Sequence, residues 1–91
     1  MATYYKAKHI LISEEDDLEY VMEQINEGVS FENLAKEYSE CETAKNGGDL
    51  GRFQSGTMLP EFERALFHMK IGEVKSGVKT KFGYHIILRL D

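Results

Sequence analysis

The alternation of hydrophobic and polar positions changes period along the chain, and each change marks an element. Residues 4–12 (Tyr-Tyr-Lys-Ala-Lys-His-Ile-Leu-Ile) are rich in aromatic and branched side chains and repeat every second position, which predicts a strand. Alternation places Ala7, His9 and Leu11 on one face, with Lys6, Lys8 and Ile10 on the other. From Ser13 the period lengthens. Ser13-Glu14-Glu15-Asp16 reads as a capping box with acids in the first turn, where the helix dipole favours them. Leu18, Val21, Met22 and Ile25 then recur at helical spacing, and Gly28 supplies a left-handed stop. A second, shorter helix is predicted from Ser30, burying Phe31, Leu34, Ala35 and Tyr38.

Between Cys41 and Met58 the periodicity is lost. Gly47, Gly48, Gly51 and Gly56 punctuate this stretch, which lets the backbone turn sharply and come close to another segment. A short strand is expected at Leu50–Phe53, and the stretch directs Cys41, Leu50, Phe53 and Met58 towards one place. It lacks the Gly-Lys-Ser/Thr of a phosphate loop and the spacing of a dinucleotide fingerprint. Pro60 suits the first turn of a third helix carrying Phe62, Ala65, Leu66 and Phe67, broken at Gly72. Val74–Thr80 reads as a strand interrupted by Gly77. Tyr84–Leu90 is the strongest strand, and its near-continuous apolar content predicts cover on both faces. His85, Ile87 and Arg89 share one side. Four strands and three or four helices, with the main helices between the first two strands, define an α+β domain.

Composition narrows the function. Ninety-one residues are read as one domain, residues 1–91, small enough that its core must be well used. A net charge of −5 argues against nucleic acid or anionic membrane as a partner. One cysteine cannot form an internal disulfide, and no apolar run reaches membrane-spanning length. With no apolar signal region in Met-Ala-Thr-Tyr-Tyr-Lys, the expectation is a cytoplasmic monomer.

Two histidines stand at matching places, one in the first strand and one in the last. If those strands pair antiparallel, His9 and His85 meet as cross-strand or diagonal neighbours. A lone histidine on an apolar strand is more often a satisfied core residue than a catalytic one. A pair near a free cysteine and a Met/Phe cluster shifts that balance towards a functional site. Cysteine hydrolase or peroxidase chemistry would need an activated thiolate, and no Asn- or Asp-oriented Cys-His signature is visible. The Cys/His spacing matches no zinc pattern either.

Lys8-His9-Ile10-Leu11, Phe31-Glu32-Asn33-Leu34-Ala35 with Tyr38-Ser39, Cys41, and Gly47-Gly48-Asp49-Leu50-Gly51 follow one another along the chain. After them come Met58 through Phe62, Gly72-Glu73-Val74, and Phe82-Gly83-Tyr84-His85-Ile86-Ile87. In this order and spacing the chain resembles the parvulins, peptidyl-prolyl cis/trans isomerases, over essentially its whole length. The resemblance implies a four-stranded antiparallel sheet wrapped by three to four helices, with the two histidine strands central. It implies that Leu50, Met58 and Phe62 form the pocket for a substrate proline ring, with Phe82 as an aromatic beside it. His9 and His85 match the paired histidines, Cys41 the polar residue facing the amide, and Thr80 a hydroxyl supporting the histidines. Some parvulins carry Asp at the Cys41 position, so a packed thiol stays open there.

The implied partners are proline-containing segments of unfolded or flexible polypeptides, and the implied reaction needs no cofactor. Two departures stand out. Gly77 lies where many members carry proline. Glu14-Glu15-Asp16-Asp17 lies where phospho-specific members place a basic loop, which implies phosphorylation-independent activity. The rival reading is a non-catalytic peptide-binding or chaperone module on the same fold, since fold alone does not decide function.

Overall fold

A computed structural model describes residues 3–91. Strand β1 (Tyr4–Ile12) pairs antiparallel with β2 (Asp49–Gln54) on one side and with β4 (Gly83–Arg89) on the other. β4 in turn pairs antiparallel with β3 (Val74–Thr80), giving the order β2-β1-β4-β3 with the two histidine strands at the centre. Helices α1 (Glu15–Asn26) and α2 (Phe31–Tyr38) and a 3-10 turn (Glu42–Asn46) fill the connection from β1 to β2, and α3 (Pro60–His68) leads from β2 to β3. The expected α+β architecture is present.

Alternation along the strands divides the apolar residues between two cores. Tyr5, Ala7 and Ile87 pack with Phe62 and Leu66 of α3 and with Met69 just beyond it. Ile10, Ile12 and Ile86 pack on the opposite face against Leu18 and Val21 of α1 and Phe31, Leu34 and Ala35 of α2. Ile86 and Ile87 are consecutive yet both fully buried, which is why β4 reads as an unbroken apolar run. His9 and His85 lie on the α3 face of the sheet. Arg89, at the far end of that face, donates to the Leu66 and Met69 carbonyl oxygens at 3.0 and 2.6 Å and so satisfies the end of α3.

Four local expectations are corrected. Ser13 does not cap α1: its N–H donates to Glu40 Oε2 at 2.7 Å, and the helix begins after Glu14, which makes no side-chain cap. Pairing of Ile12 with Tyr84 keeps the chain extended to this point, so the helix starts a residue later. Phe67 is 70% exposed, because the inward face of the nine-residue α3 is already occupied by Phe62 and Leu66. Phe53 does not join the site; it packs against Tyr5 in the α3-side core, ring centroids 6.0 Å apart. β2 runs from Asp49 to Gln54 and β4 starts at Gly83 and ends at Arg89, shifting those boundaries by a residue.

Gly28 closes α1 as expected, with φ +97°, its N–H donating to Ile25 O and that of Val29 to Gln24 O. Gly48 has a stricter role. A Cβ there would lie 2.3 Å from the His9 carbonyl oxygen, and the Gly48 carbonyl accepts the His9 N–H at 2.9 Å. The segment that the glycine-rich stretch approaches is therefore the backbone of His9 itself.

Candidate active site

Leu11 pairs with His85 and His9 with Ile87, so the two histidines are diagonal neighbours across β1 and β4. Their rings stack at a centroid distance of 5.1 Å and an interplanar angle of 18°. His9 Nδ1 and His85 Nδ1 lie 2.9 Å apart. At the outer ends, Thr43 Oγ1 is 3.2 Å from His9 Nε2, and Thr80 Oγ1 is 2.8 Å from His85 Nε2. All four imidazole nitrogens are thus engaged.

The direction of this chain follows from counting protons. Thr80 is buried and its Oγ1 also accepts the Phe82 N–H at 3.2 Å. If it accepted from His85 as well, its own proton would have no partner, so it donates to His85 Nε2. His85 then carries its proton on Nδ1 and donates to His9 Nδ1. His9 carries its proton on Nε2 and donates to Thr43. Both rings are held neutral. Burial, reinforced by the neighbouring His85, lowers the pKa of His9 to about 4, and burial also lowers that of His85.

The histidine rings form part of the wall of a cavity of about 260 Å³. Phe62 meets both rings edge-on, at 5.7 Å from His9 and 5.4 Å from His85. Met58 and Leu59, at the entry to α3, line the cavity with Phe62, and Leu50 of β2 and Leu11 of β1 extend its apolar lining. Cys41 and Phe82 complete the lining, Phe82 being 60% exposed. Ser39 ties Cys41 to the sheet: its Oγ accepts the Leu11 N–H at 3.0 Å and the Cys41 N–H at 3.4 Å. A larger groove of about 460 Å³ runs along α1 past Asp16, Glu19 and Glu23, but it brings no histidine or thiol together.

All eight residues singled out in the sequence are brought into this region: seven line the cavity, and Thr80 stands behind His85. Leu11, Leu59 and Thr43 were not singled out. Leu11 was legible, since alternation puts it on the His9 face. Thr43 carried no such signal, because its approach to His9 depends on how the 3-10 turn folds back. Among the described residues, no hydrogen bond joins the Cys41 thiol to either histidine. Nor is any group of three or more His, Cys, Asp or Glu placed to hold a metal ion.

A central antiparallel pair bearing stacked histidines above an apolar cavity defines the parvulin class, and the comparisons agree. Residues 9–91 match the family model "Rotamase: PPIC-type PPIASE domain", and the chain belongs to that family. Foldase protein PrsA of Caldanaerobacter subterraneus is 49% identical over 83 residues, covering 90% of this chain and 27% of that protein. The chain therefore spans under a third of that relative's length. The crystal structure of PrsA from Bacillus subtilis superposes with a TM-score of 0.92 at 44% identity, over 97% of this chain and 35% of that one. NmPin, the parvulin of Nitrosopumilus maritimus, aligns at both full lengths: TM-score 0.87, 40% identity, 100% of this chain and 99% of that one.

Proposed function

We propose that this domain is a peptidyl-prolyl cis/trans isomerase that rotates X-Pro bonds in unfolded or flexible polypeptide segments, without a covalent intermediate and without a cofactor. The observation that carries this reading is the apolar cavity of about 260 Å³ lined by two fully hydrogen-bonded histidines. The cavity suits the apolar proline ring, with Leu50, Met58 and Phe62 as the ring pocket and Phe82 beside it. The engagement of every imidazole nitrogen leaves neither histidine free to activate a thiol.

The energetic demand is small. An unaided X-Pro bond isomerises in tens to hundreds of seconds, so a turnover near ~10 s⁻¹ needs roughly a 10³-fold gain, or about 4 kcal/mol. Amide resonance sets the barrier. A wall of apolar side chains and uncharged imidazoles disfavours the charge-separated planar amide relative to the twisted one. Holding the proline ring while the preceding residue turns contributes the rest, provided that contacts strengthen in the twisted state. His9, His85 and Thr80 hold the wall in one arrangement, and Cys41 faces the amide. Exchange spectroscopy on an Ala-Pro peptide tests the reading. The isomerase speeds cis/trans interconversion, whereas a binding module shifts peaks without doing so. The same proposal takes the domain as a monomer in a reducing compartment, where Cys41 stays a free thiol.

If no covalent step is involved, Cys41→Ser and Cys41→Asp are expected to retain substantial turnover. A trapped thioester, or a folded Cys41→Asp protein with no activity, contradicts the mechanism.

Substrate charge gives a second expectation. Glu40 and Glu42 flank Cys41, and Glu15 accepts a hydrogen bond from Tyr84, next to His85 but on the opposite face. On the other side, the Lys81 ammonium lies over the ring of Phe82, which lines the cavity, at 5.3 Å. Exposed charges of this kind are worth about 1 kcal/mol and are screened by salt. Neutral or basic residues before proline should therefore turn over several-fold faster than glutamate or phosphoserine at low salt. Phosphoserine turning over fastest would show that Lys81 dominates the cavity mouth.

A further inference from the structure

Glu63 lies in the first turns of α3, one residue after Phe62, and lines no part of the cavity. Its carboxylate makes no ion pair; among the described residues the only salt bridge is Lys8 with Glu32. It is spent on the segment before the helix. Oε1 accepts the Gly56 N–H at 2.8 Å and the Ser55 hydroxyl at 3.2 Å. Oε2 accepts the Met58 N–H at 2.7 Å and lies 3.0 Å from the Gly56 nitrogen. The segment has few other restraints, namely Ser55 N–H to Thr3 O and Thr57 N–H to Gln54 O. Ser55, Gly56 and Thr57 are exposed, and Gly56 sits at φ +98° with open space where a Cβ would be, so little packing holds the turn in place. Beyond Met58, Pro60 fixes the entry into α3.

One helix thus carries both walls of the cavity at this end. Phe62 is fixed because it is part of the helix and 3% exposed. Met58 is outside the helix: its side chain packs on the core, and its backbone is held by one hydrogen bond from its N–H to Glu63. We infer that Glu63 is a positioning residue that sets the separation of Met58 from Phe62, and hence the fit of the ring pocket. The inference rests on the isomerase reading for its meaning, but not for its test.

Both carboxylate oxygens accept N–H bonds, so an isosteric amide can serve only one and turns a donor towards the other. Glu63→Gln should therefore raise KM for an Ala-Pro peptide about tenfold, the scale of one charged hydrogen bond, while changing kcat less than about twofold. Glu63→Asp, which keeps the charge but is one methylene shorter, should lie between this variant and the wild type. Glu61→Gln, two residues earlier in α3 and without a side-chain hydrogen bond to the segment among the described residues, should match the wild type. The Met58 methyl resonance should lose its ring-current shift from Phe62 in Glu63→Gln. A role limited to helix stability predicts a lower melting temperature with KM and the Met58 resonance unchanged in the folded protein, and that result overturns the inference. If Glu63→Gln does not fold, the Glu63→Asp KM and methyl shift decide. Absence of turnover in the wild type would sink the isomerase reading instead. Peptide affinity by NMR titration and the Met58 signature would then still decide the role of Glu63.

Discussion

Replacing Phe62 with alanine is expected to lower turnover and stability more than any other single change in the cavity. The ring is buried in the α3-side core and also meets both histidines edge-on. Truncations of buried phenylalanine cost about 3–5 kcal/mol, which consumes much of a small domain's stability. Turnover per folded molecule should fall as well, since the ring pocket loses its floor. Met58→Ala separates the two effects. Met58 is only partly buried, so its loss should cost about 1 kcal/mol of folding free energy while still weakening peptide binding. Urea unfolding together with turnover normalised to the folded fraction distinguishes these outcomes. Full activity in the folded fraction of both variants would remove Phe62 and Met58 from the substrate pocket.

How much of this was legible in the sequence depends on whether a contact is set by period or by closure of a loop. The diagonal His9–His85 contact follows from two strands whose faces are fixed by alternation, once their antiparallel pairing is granted. The same logic exposes Leu11 and explains the run through Ile86 and Ile87. The Ser13 cap failed for a non-local reason, because Glu40, 27 positions away, takes the Ser13 N–H. Phe53 was misplaced because a loop pattern does not give the register of β2: Phe53 pairs with Tyr5, four positions from His9 along β1, on the same face but away from the site. Thr43 and Glu63 were invisible for a related reason. Each is an ordinary polar residue in a turn or helix, and each acquires a role only when the glycine-rich stretch folds back on β1 and α3. The parvulin resemblance rests on the order and spacing of local motifs, which is why it was readable where these individual contacts were not.

Acid should expose the histidine pair through stability. Burial first, and the neighbouring His85 second, hold His9 at a pKa of about 4 against its ordinary value of 6.5. Between those values the unfolded chain takes up a proton that the folded chain refuses, so the unfolded state binds more protons and stability falls as pH falls. The contribution is fully present above pH 6.5 and is lost as pH drops through 6.5 to about 4, below which it levels out. A displacement of that size corresponds to about 3 kcal/mol from His9 alone, with His85, also lowered by burial, acting in the same direction. Acid also acts on groups other than the imidazoles, so the wild type must be compared with a variant lacking both imidazoles. Urea unfolding of the wild type and of the double variant His9→Gln/His85→Gln at pH 7.5, 5.5 and 4 gives that comparison. The wild type should lose several kcal/mol more than the double variant across this range, most of it between pH 6.5 and 4. Equal losses would mean that the pair is solvated and titrates normally. A wild type that gains stability relative to the double variant on acidification would mean that the two rings share a proton as an imidazolium, which would reverse the neutral-wall account of the site.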